Sequence, residues 1–492
     1  MGELEGSNSM KKTFIAIAFI AIGTLTSAAQ VIKQTTYDAL YKELPVKMET
    51  AKVPDFQDLR VDITQYGAKG DGLTLCTEAV QKAIDEVSAK GGGKVVVPDG
   101  IWLIAPITLK SNVNLYLSQN AILLSTPQKK LHLDPKSPKG RCLPLINANK
   151  AENIAITGKG TIDGNGAYWR PVKRGKVSDT EWNIFKAMGG EINAKGDLWL
   201  PFNLKGIENV TEKALKEEAL RQDIFRISKC KKVLLQGVTI QNSPRFHVHP
   251  LECQDVILDG LTVRCPWNAQ NGDAIDLSNC QRCIVVNCIV DAGDDGICMK
   301  GGTGQSGVEK GPCKDILIQD NTVYHAHGGF VIGSDVSGGM ENIVVRNCRF
   351  SGTDIGLRFK SGLGRGGRTK NIYCYNIVMT DIKDDAIGFE CTYIDKTATY
   401  KEGSHKSPTT NDYAPDFQDI KIENIVCRGC TNAIHSVGLE GLECVKDITI
   451  RNSYFFYTNN AVDIDGLSKI SIENCKVEQH NSQEVLSIPA LQ

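Results

Sequence analysis

A six-residue pattern returns ten times along this chain: a polar residue, alternating aliphatics, then Asn, Asp or Gly. It reads Asn153-Ile-Ala-Ile-Thr-Gly, Lys232-Val-Leu-Leu-Gln-Gly, Asp255-Val-Ile-Leu-Asp-Gly, Arg282-Cys-Ile-Val-Val-Asn and Asp315-Ile-Leu-Ile-Gln-Asp. It continues as Asn342-Ile-Val-Val-Arg-Asn, Asn371-Ile-Tyr-Cys-Tyr-Asn, Asp419-Ile-Lys-Ile-Glu-Asn, Asp447-Ile-Thr-Ile-Arg-Asn and Lys469-Ile-Ser-Ile-Glu-Asn. From Lys232 the spacings are 23, 27, 33, 27, 29, 48, 28 and 22 residues. A period in the twenties, with two or three short strands per repeat, means a solenoid whose turns bury a continuous core only by stacking. Alternation inside each strand turns one face inward. Helical signal is nearly absent after residue 90, so a right-handed parallel β-helix is the expected fold.

A second strand recurs within the repeats: Asp273-Ala-Ile-Asp-Leu, Asp295-Gly-Ile-Cys-Met, Gly328-Gly-Phe-Val-Ile, Asp385-Ala-Ile-Gly-Phe and Asn460-Ala-Val-Asp-Ile. Stacked at about 4.8 Å per turn, residues at one offset become neighbours in space. Open strand edges at the ends need a cover. Cys76 to Ala89 supplies one, a helix with Ala79, Val80, Ala83, Ile84 and Val87 on one stripe.

The flanks and interruptions divide the chain. Lys11 and Lys12, an apolar run from Phe14 to Leu25 and the small residues Ser27-Ala28-Ala29 read as a signal peptide over 1–29, with Met10 the candidate natural start. A leader follows over 30–58, and the β-helix occupies 59–492. Two long insertions, about 168–222 and 392–417, leave the turns as loops that either wall a binding groove or are inert. The mature protein is expected to be secreted or periplasmic, without a membrane span, and monomeric. Net charge is −1, which gives no basic field for nucleic acid. The 17 cysteines follow the repeats: Cys230, Cys253, Cys280, Cys313 and Cys444 precede a strand, as stacked small hydrophobes do. Cys280-x-x-Cys283 and Cys427-x-x-Cys430 have metal-type spacing, but each lies on or beside a repeating strand. Structural thiols or local disulfides are the expected reading.

The chemistry gathers in four consecutive turns. Asn271-Gly272-Asp273, Asp294-Asp295, His327-Gly328 and Arg358-Phe359-Lys360 fall on one face by the stacking argument. Asp294 and Asp295 act together only at a bend, for which Gly293 and Gly296 leave room. Three neighbouring carboxylates cannot all ionise easily, so at least one holds a proton beside ionised partners. Arg358 and Lys360, two apart, present fixed positive charge suited to a carboxylate ligand.

These motifs resemble glycoside hydrolase family 28, the polygalacturonases and related pectin hydrolases. The family's Asn-Thr-Asp, Gly-Asp-Asp, Gly-His-Gly and Arg-Ile-Lys appear here as Asn271-Gly272-Asp273, Gly293-Asp294-Asp295, Ala326-His327-Gly328 and Arg358-Phe359-Lys360, with every charged member present. Asp62-Ile-Thr-Gln-Tyr-Gly-Ala-Lys-Gly-Asp-Gly and Gly158-Lys-Gly-Thr-Ile-Asp-Gly-Asn-Gly extend the likeness. The resemblance implies inverting hydrolysis of α-galacturonosidic bonds in an anionic polysaccharide, without metal or other cofactor. It implies Asp294 as general acid, Asp273 and Asp295 as the groups that position and deprotonate water, and His327 as tuner of the acid. Arg358 and Lys360 would grip a uronate, with Asn271 beside it. His327-Gly-Gly-Phe-Val-Ile-Gly-Ser resembles the bacterial branch, and the 168–222 insertion leans the expectation towards exo action. Rhamnogalacturonan or another substituted pectin is the alternative substrate. A calcium-dependent pectic lyase and a non-catalytic glycan-binding β-helix are the other readings.

Overall fold

The computed structural model describes residues 33–137, 140–202, 216, 220–393 and 413–480. The expected signal peptide and most of the second insertion lie outside them. Thirty-three strands coil into one continuous parallel assembly with three faces, a right-handed parallel β-helix. The motif strands build the first face, short strands such as Thr262–Arg264 and Ile289–Asp291 the second, and the Asp273 and Asp295 series the third.

The polar head of the motif has a backbone cause. From Asn153 through Asp447 these residues adopt left-handed φ between +51° and +58°, a conformation Asn and Asp tolerate best. The far end of the strand turns the same way at Asn287, Asp320, Asn347, Asn376, Asn424, Asn452 and Asn474. Most motif strands therefore run between two left-handed corners. The corner amides also stack: Asn371 Nδ2 donates to Asn342 Oδ1 at 3.0 Å, and Asn342 Nδ2 to Asp315 Oδ1 at 2.9 Å. Each such bond contributes about 1 kcal/mol net.

Between the corners the aliphatics point inward in register. Val233, Val256, Cys283, Ile316, Ile343 and Ile372 form one fully buried column, each side chain worth about 1.5–3 kcal/mol of burial for the Val and Ile members. Larger rings fill the C-terminal half, where Phe359 and Phe389 stack with centroids 4.6 Å apart. The cysteines other than Cys142 are free thiols, and all of these but Cys475 are buried. Cys230, Cys253, Cys280 and Cys313 occupy one register column, as expected of small hydrophobes.

The cap is the α-helix Thr77–Ala89, with the five expected residues buried. The leader is more than a tether. Residues 33–58 lie along the outside of the first face, where Tyr37, Ala51, Val53 and Phe56 cover Ala155, Leu234, Ile257 and Ile284. Its polar anchors are Tyr37 Oη to Asp259 at 3.0 Å and the Lys52 amide to Asp255 at 3.1 Å. The described part of the first insertion folds on its own small core. Three antiparallel strands, Val172–Lys173, Glu191–Ile192 and Leu198–Leu200, pack with the helix Asp179–Ala187 around Trp182 and Trp199.

Candidate active site

The third face carries the site. Its strands alternate so that Ile275, Leu277, Ile297, Met299, Phe330, Ile332, Leu357 and Phe359 enter the core. The intervening positions face out, and register lines them up as Asp276, Cys298, Val331, Arg358, Gly388 and His435. Asp273 lies opposite Asp295 by extension of the Ile275–Ile297 pairing, and Asp295 pairs with Gly328, which sets Asp294 opposite His327.

The carboxylates stand just before these strands, where the chain bends. Gly293 makes the bend possible through close approach, since a Cβ there would lie 2.5 Å from the Ala269 carbonyl oxygen. Asp294 is thereby turned to accept from the backbone N–H groups of Asn271 at 3.2 Å and Asp295 at 3.1 Å. His327 Nδ1 sits 2.9 Å from Asp294 Oδ1. One side-chain atom each of Asp294, Asp295 and His327 fall within 4.8 Å of one another. Asp294, Asp295 and His327 thus converge on one spot.

Charge on this cluster is divided unequally. Burial, reinforced by Asp276, Asp294 and Asp295, holds the Asp273 carboxyl well above the ordinary carboxylate range. Burial also opposes ionisation of Asp294, but His327, Lys360 and Lys176 together outweigh it and hold that carboxyl low. Asp295 is likewise held low against burial, by Lys360 and Lys300. Burial lifts the Asp276 carboxyl as well, so two carboxyls held high stand beside two held low, the division that like-charge crowding produces.

The basic pair splits in role. Lys360 is only 5% exposed, and its ammonium bonds both oxygens of Asp295 at 2.9 and 3.1 Å. Arg358 is half-buried, gives one bond to the His327 carbonyl at 3.2 Å, and lines a cavity of about 210 Å³. That cavity continues along the groove over Gly388 to His435, with Asp385 and Glu390 on its sides. Asn271 bonds Arg221 through its side chain at 2.9 Å, so its contact to the carboxylates is the backbone N–H.

Three charged residues of the site were not singled out by sequence. Lys300 Nζ lies 3.1 Å from Asp276, 3.4 Å from Asp273 and 3.7 Å from Asp295. Strand alternation could have found it, since it follows Cys298 by two on the outward side. Asp276 is completely buried and was readable as the second Asp of Asp273-Ala-Ile-Asp. Lys176 arrives from the first insertion and donates to the Gly293 carbonyl at 2.9 Å. No repeat signal could place it, because it lies outside the stacked turns. The first insertion therefore walls the groove at the carboxylates.

Comparison with known proteins agrees with this geometry. The model of Glycosyl hydrolases family 28 matches residues 172–413. The exo-poly-α-D-galacturonosidase of Dickeya chrysanthemi is 28% identical over 435 residues, covering 86% of this chain and 70% of its own length. The endo-polygalacturonase of Pectobacterium carotovorum subsp. carotovorum is 26% identical over 395 residues, 78% of this chain and 85% of its own. The crystal structure of a hyperthermoactive exopolygalacturonase from Thermotoga maritima matches with a TM-score of 0.68 at 27% identity, covering 86% of this chain and 94% of that one. The family match begins at the wall that brings in Lys176 and runs through all four motif turns, and on that agreement the chain belongs to glycosyl hydrolases family 28.

Proposed function

We propose that the protein hydrolyses α-galacturonosidic bonds of pectin with inversion, releasing product from a chain end. The observation that carries this reading is the convergence of Asp273, Asp294, Asp295 and His327 beside an arginine that faces an open groove. Relatives of both exo and endo action share the family. The exo reading rests on the insertion wall, whose Lys176 reaches Gly293 and His327 and narrows the groove on one side of the carboxylates. On the other side the groove continues past Arg358 to His435.

In this reading the uronate carboxylate is held by Arg358, while Lys360 fixes the orientation of Asp295. Asp295, ionised and held on two oxygens, draws a proton from water as its oxygen attacks the anomeric carbon. Asp294 gives a proton to the departing glycosidic oxygen, and His327 at 2.9 Å is positioned to supply it. Entry of an anionic sugar offsets the cations that hold Asp294 low, and expulsion of water adds to that effect. Inversion requires acid and base on opposite sides of the sugar with room for the water.

A competing assignment has one argument behind it: burial and the neighbouring carboxylates raise Asp273 well above the ordinary carboxylate range, as a proton donor requires. An activated leaving group separates the two, because a variant lacking the general acid keeps its activity on an aryl galacturonide and loses it on the natural bond. The calcium-dependent lyase reading has less support, since ammonium groups already occupy the space around Asp295. Secretion and a monomeric state complete the proposal.

The test is digestion of polygalacturonate with the purified protein, followed over time by mass spectrometry and by NMR of the new anomeric centre. Saturated monomer or dimer from the first time points, in the β configuration, is the expected result. A ladder of oligomers would reverse the exo reading, and unsaturated products insensitive to Asp294→Asn would reverse the mechanism.

A further inference from the structure

Lys300 is a half-buried cation for which the mechanism above has no use. Four groups crowd its ammonium. Asp276 lies 3.1 Å away, Asp273 3.4 Å, Asp295 3.7 Å and the Cys298 thiol 3.3 Å. The Phe246 ring covers it at 5.5 Å. Lys360 approaches the same group of carboxylates through Asp295, and His249 lies one turn back in register from Asp276. Asp276 itself is wholly buried and neither of its oxygens accepts a hydrogen bond. Its charge is balanced by the ammonium alone at contact distance among the described residues.

This arrangement is costly if it served only the fold. A buried ion pair of this kind is commonly replaced by apolar side chains without loss of stability. The register shows what it does instead. Lys300 reaches from its own turn to Asp273 and Asp276 on the preceding turn and back to Asp295 on its own. It is the one side chain among the described residues in ion-pair contact with both Asp273 and Asp295.

We infer that Lys300 is a positioning residue for the hydrolysis: its ammonium, seated among Asp273, Asp276 and Asp295, fixes which carboxyls of the cluster hold a proton and where the water-activating oxygens point. Asp276 is its counter-charge, keeping the ammonium in place when Asp273 is neutral. The inference rests on the hydrolase reading, so the wild-type products are established first and a failure there is seen before any variant is made.

The experiment compares kcat and KM on polygalacturonate from pH 3 to 9 for wild type, Lys300→Met, Lys300→Arg and Lys300→Met with Asp276→Asn. Loss of a cation beside a carboxylate raises its pKa. Lys300→Met therefore moves the acidic limb of kcat upward by about one pH unit or more. It lowers kcat by about tenfold or more at the wild-type optimum, less than loss of the general base itself costs, and leaves KM within about threefold. Lys300→Arg restores the limb in part. The double variant folds even where the single one does not, because it removes the uncompensated Asp276 charge, and its acidic limb stays displaced. An acidic limb at the wild-type position in the double variant overturns the inference, as does a loss confined to KM.

Discussion

Lys176 Nζ lies 3.0 Å from His327 Nε2, so a lysine from the insertion wall and the histidine of the active turn form one hydrogen-bonded unit. With the ammonium donating to Nε2, the ring hydrogen sits on Nδ1 and donates to Asp294. Burial pushes the Lys176 ammonium down from its ordinary range, which makes the unit easier to deprotonate than an exposed lysine. The wall thereby determines both the shape of the groove and the tautomer of His327.

Lys176→Met removes one of the two ammonium groups that, with the His327 hydrogen bond, hold Asp294 low. The Asp294 carboxyl then rises, and the basic limb of the pH profile, set by the group that must carry a proton, moves to higher pH. A second consequence is a freer imidazole, with kcat reduced about tenfold at the optimum, less than loss of the general acid itself costs. A pH series of kcat on polygalacturonate measures both. An unmoved basic limb would show that Lys176 has no hold on the acid.

The raised Asp273 carboxyl makes a prediction about stability. Its folded-state pKa lies well above the unfolded value, so its contribution is fully present below about pH 4 and is lost as pH climbs through the folded value. Asp273→Asn removes that loss. Thermal melts of Asp273→Asn and wild type should coincide near pH 3.5 and separate above it. At pH 7 the variant melts higher, by about 2 °C. It should hydrolyse polygalacturonate poorly at every pH. A variant less stable than wild type at pH 7 contradicts the raised Asp273 carboxyl.

How much of this was legible in sequence follows from what each residue's neighbours are. Asn342 and Asp315 could be read because a left-handed corner repeats wherever the chain turns, and the polar head of the motif marks it. Asp294 and His327 could be aligned because equal offsets in stacked strands become contacts. Lys300 was passed over because the recurring segment was read as ending at Met299, one residue short. Lys176 and the packing of Tyr37 were out of reach for a different reason. Both belong to segments without a repeat, and their partners lie 151 and 222 residues away.

The groove beyond Arg358 predicts a second contact with the polymer. Gly388 stands between Arg358 and His435 in the outward column, and its missing side chain is what opens the hollow. His435 Nδ1 pairs with Asp385 at 3.1 Å, and that contact raises the imidazole above its ordinary pKa. His435→Ala should raise KM for tetragalacturonate about three- to tenfold, as loss of one charge-assisted contact does, while leaving KM for digalacturonate unchanged. Gly388→Val, which fills the hollow, should do the same. Equal effects on both substrates would place the polymer elsewhere.

The leader predicts a purely structural effect. Tyr37 is 3% exposed, packs on the outer side of the first face and donates to Asp259 at 3.0 Å. Gln236 donates to the same Asp259 oxygen at 2.9 Å, so the phenol closes a small network joining two turns to the leader. Tyr37→Phe removes the hydroxyl and costs about 1 kcal/mol. Tyr37→Ala also opens a cavity and costs about 3–5 kcal/mol, the range for buried aromatic truncations. The uncovered patch of Leu234, Ile257 and Ile284 would then face solvent, and exposed apolar surface on a sheet invites association. Urea unfolding should order the three proteins as wild type, Phe, Ala, and light scattering should show aggregation for Ala before activity is lost. Because the leader lies on the first face and the carboxylates on the third, kcat measured on the soluble fraction should equal that of wild type for both variants. A fall in kcat without a fall in the urea midpoint would mean that the leader acts on the site itself.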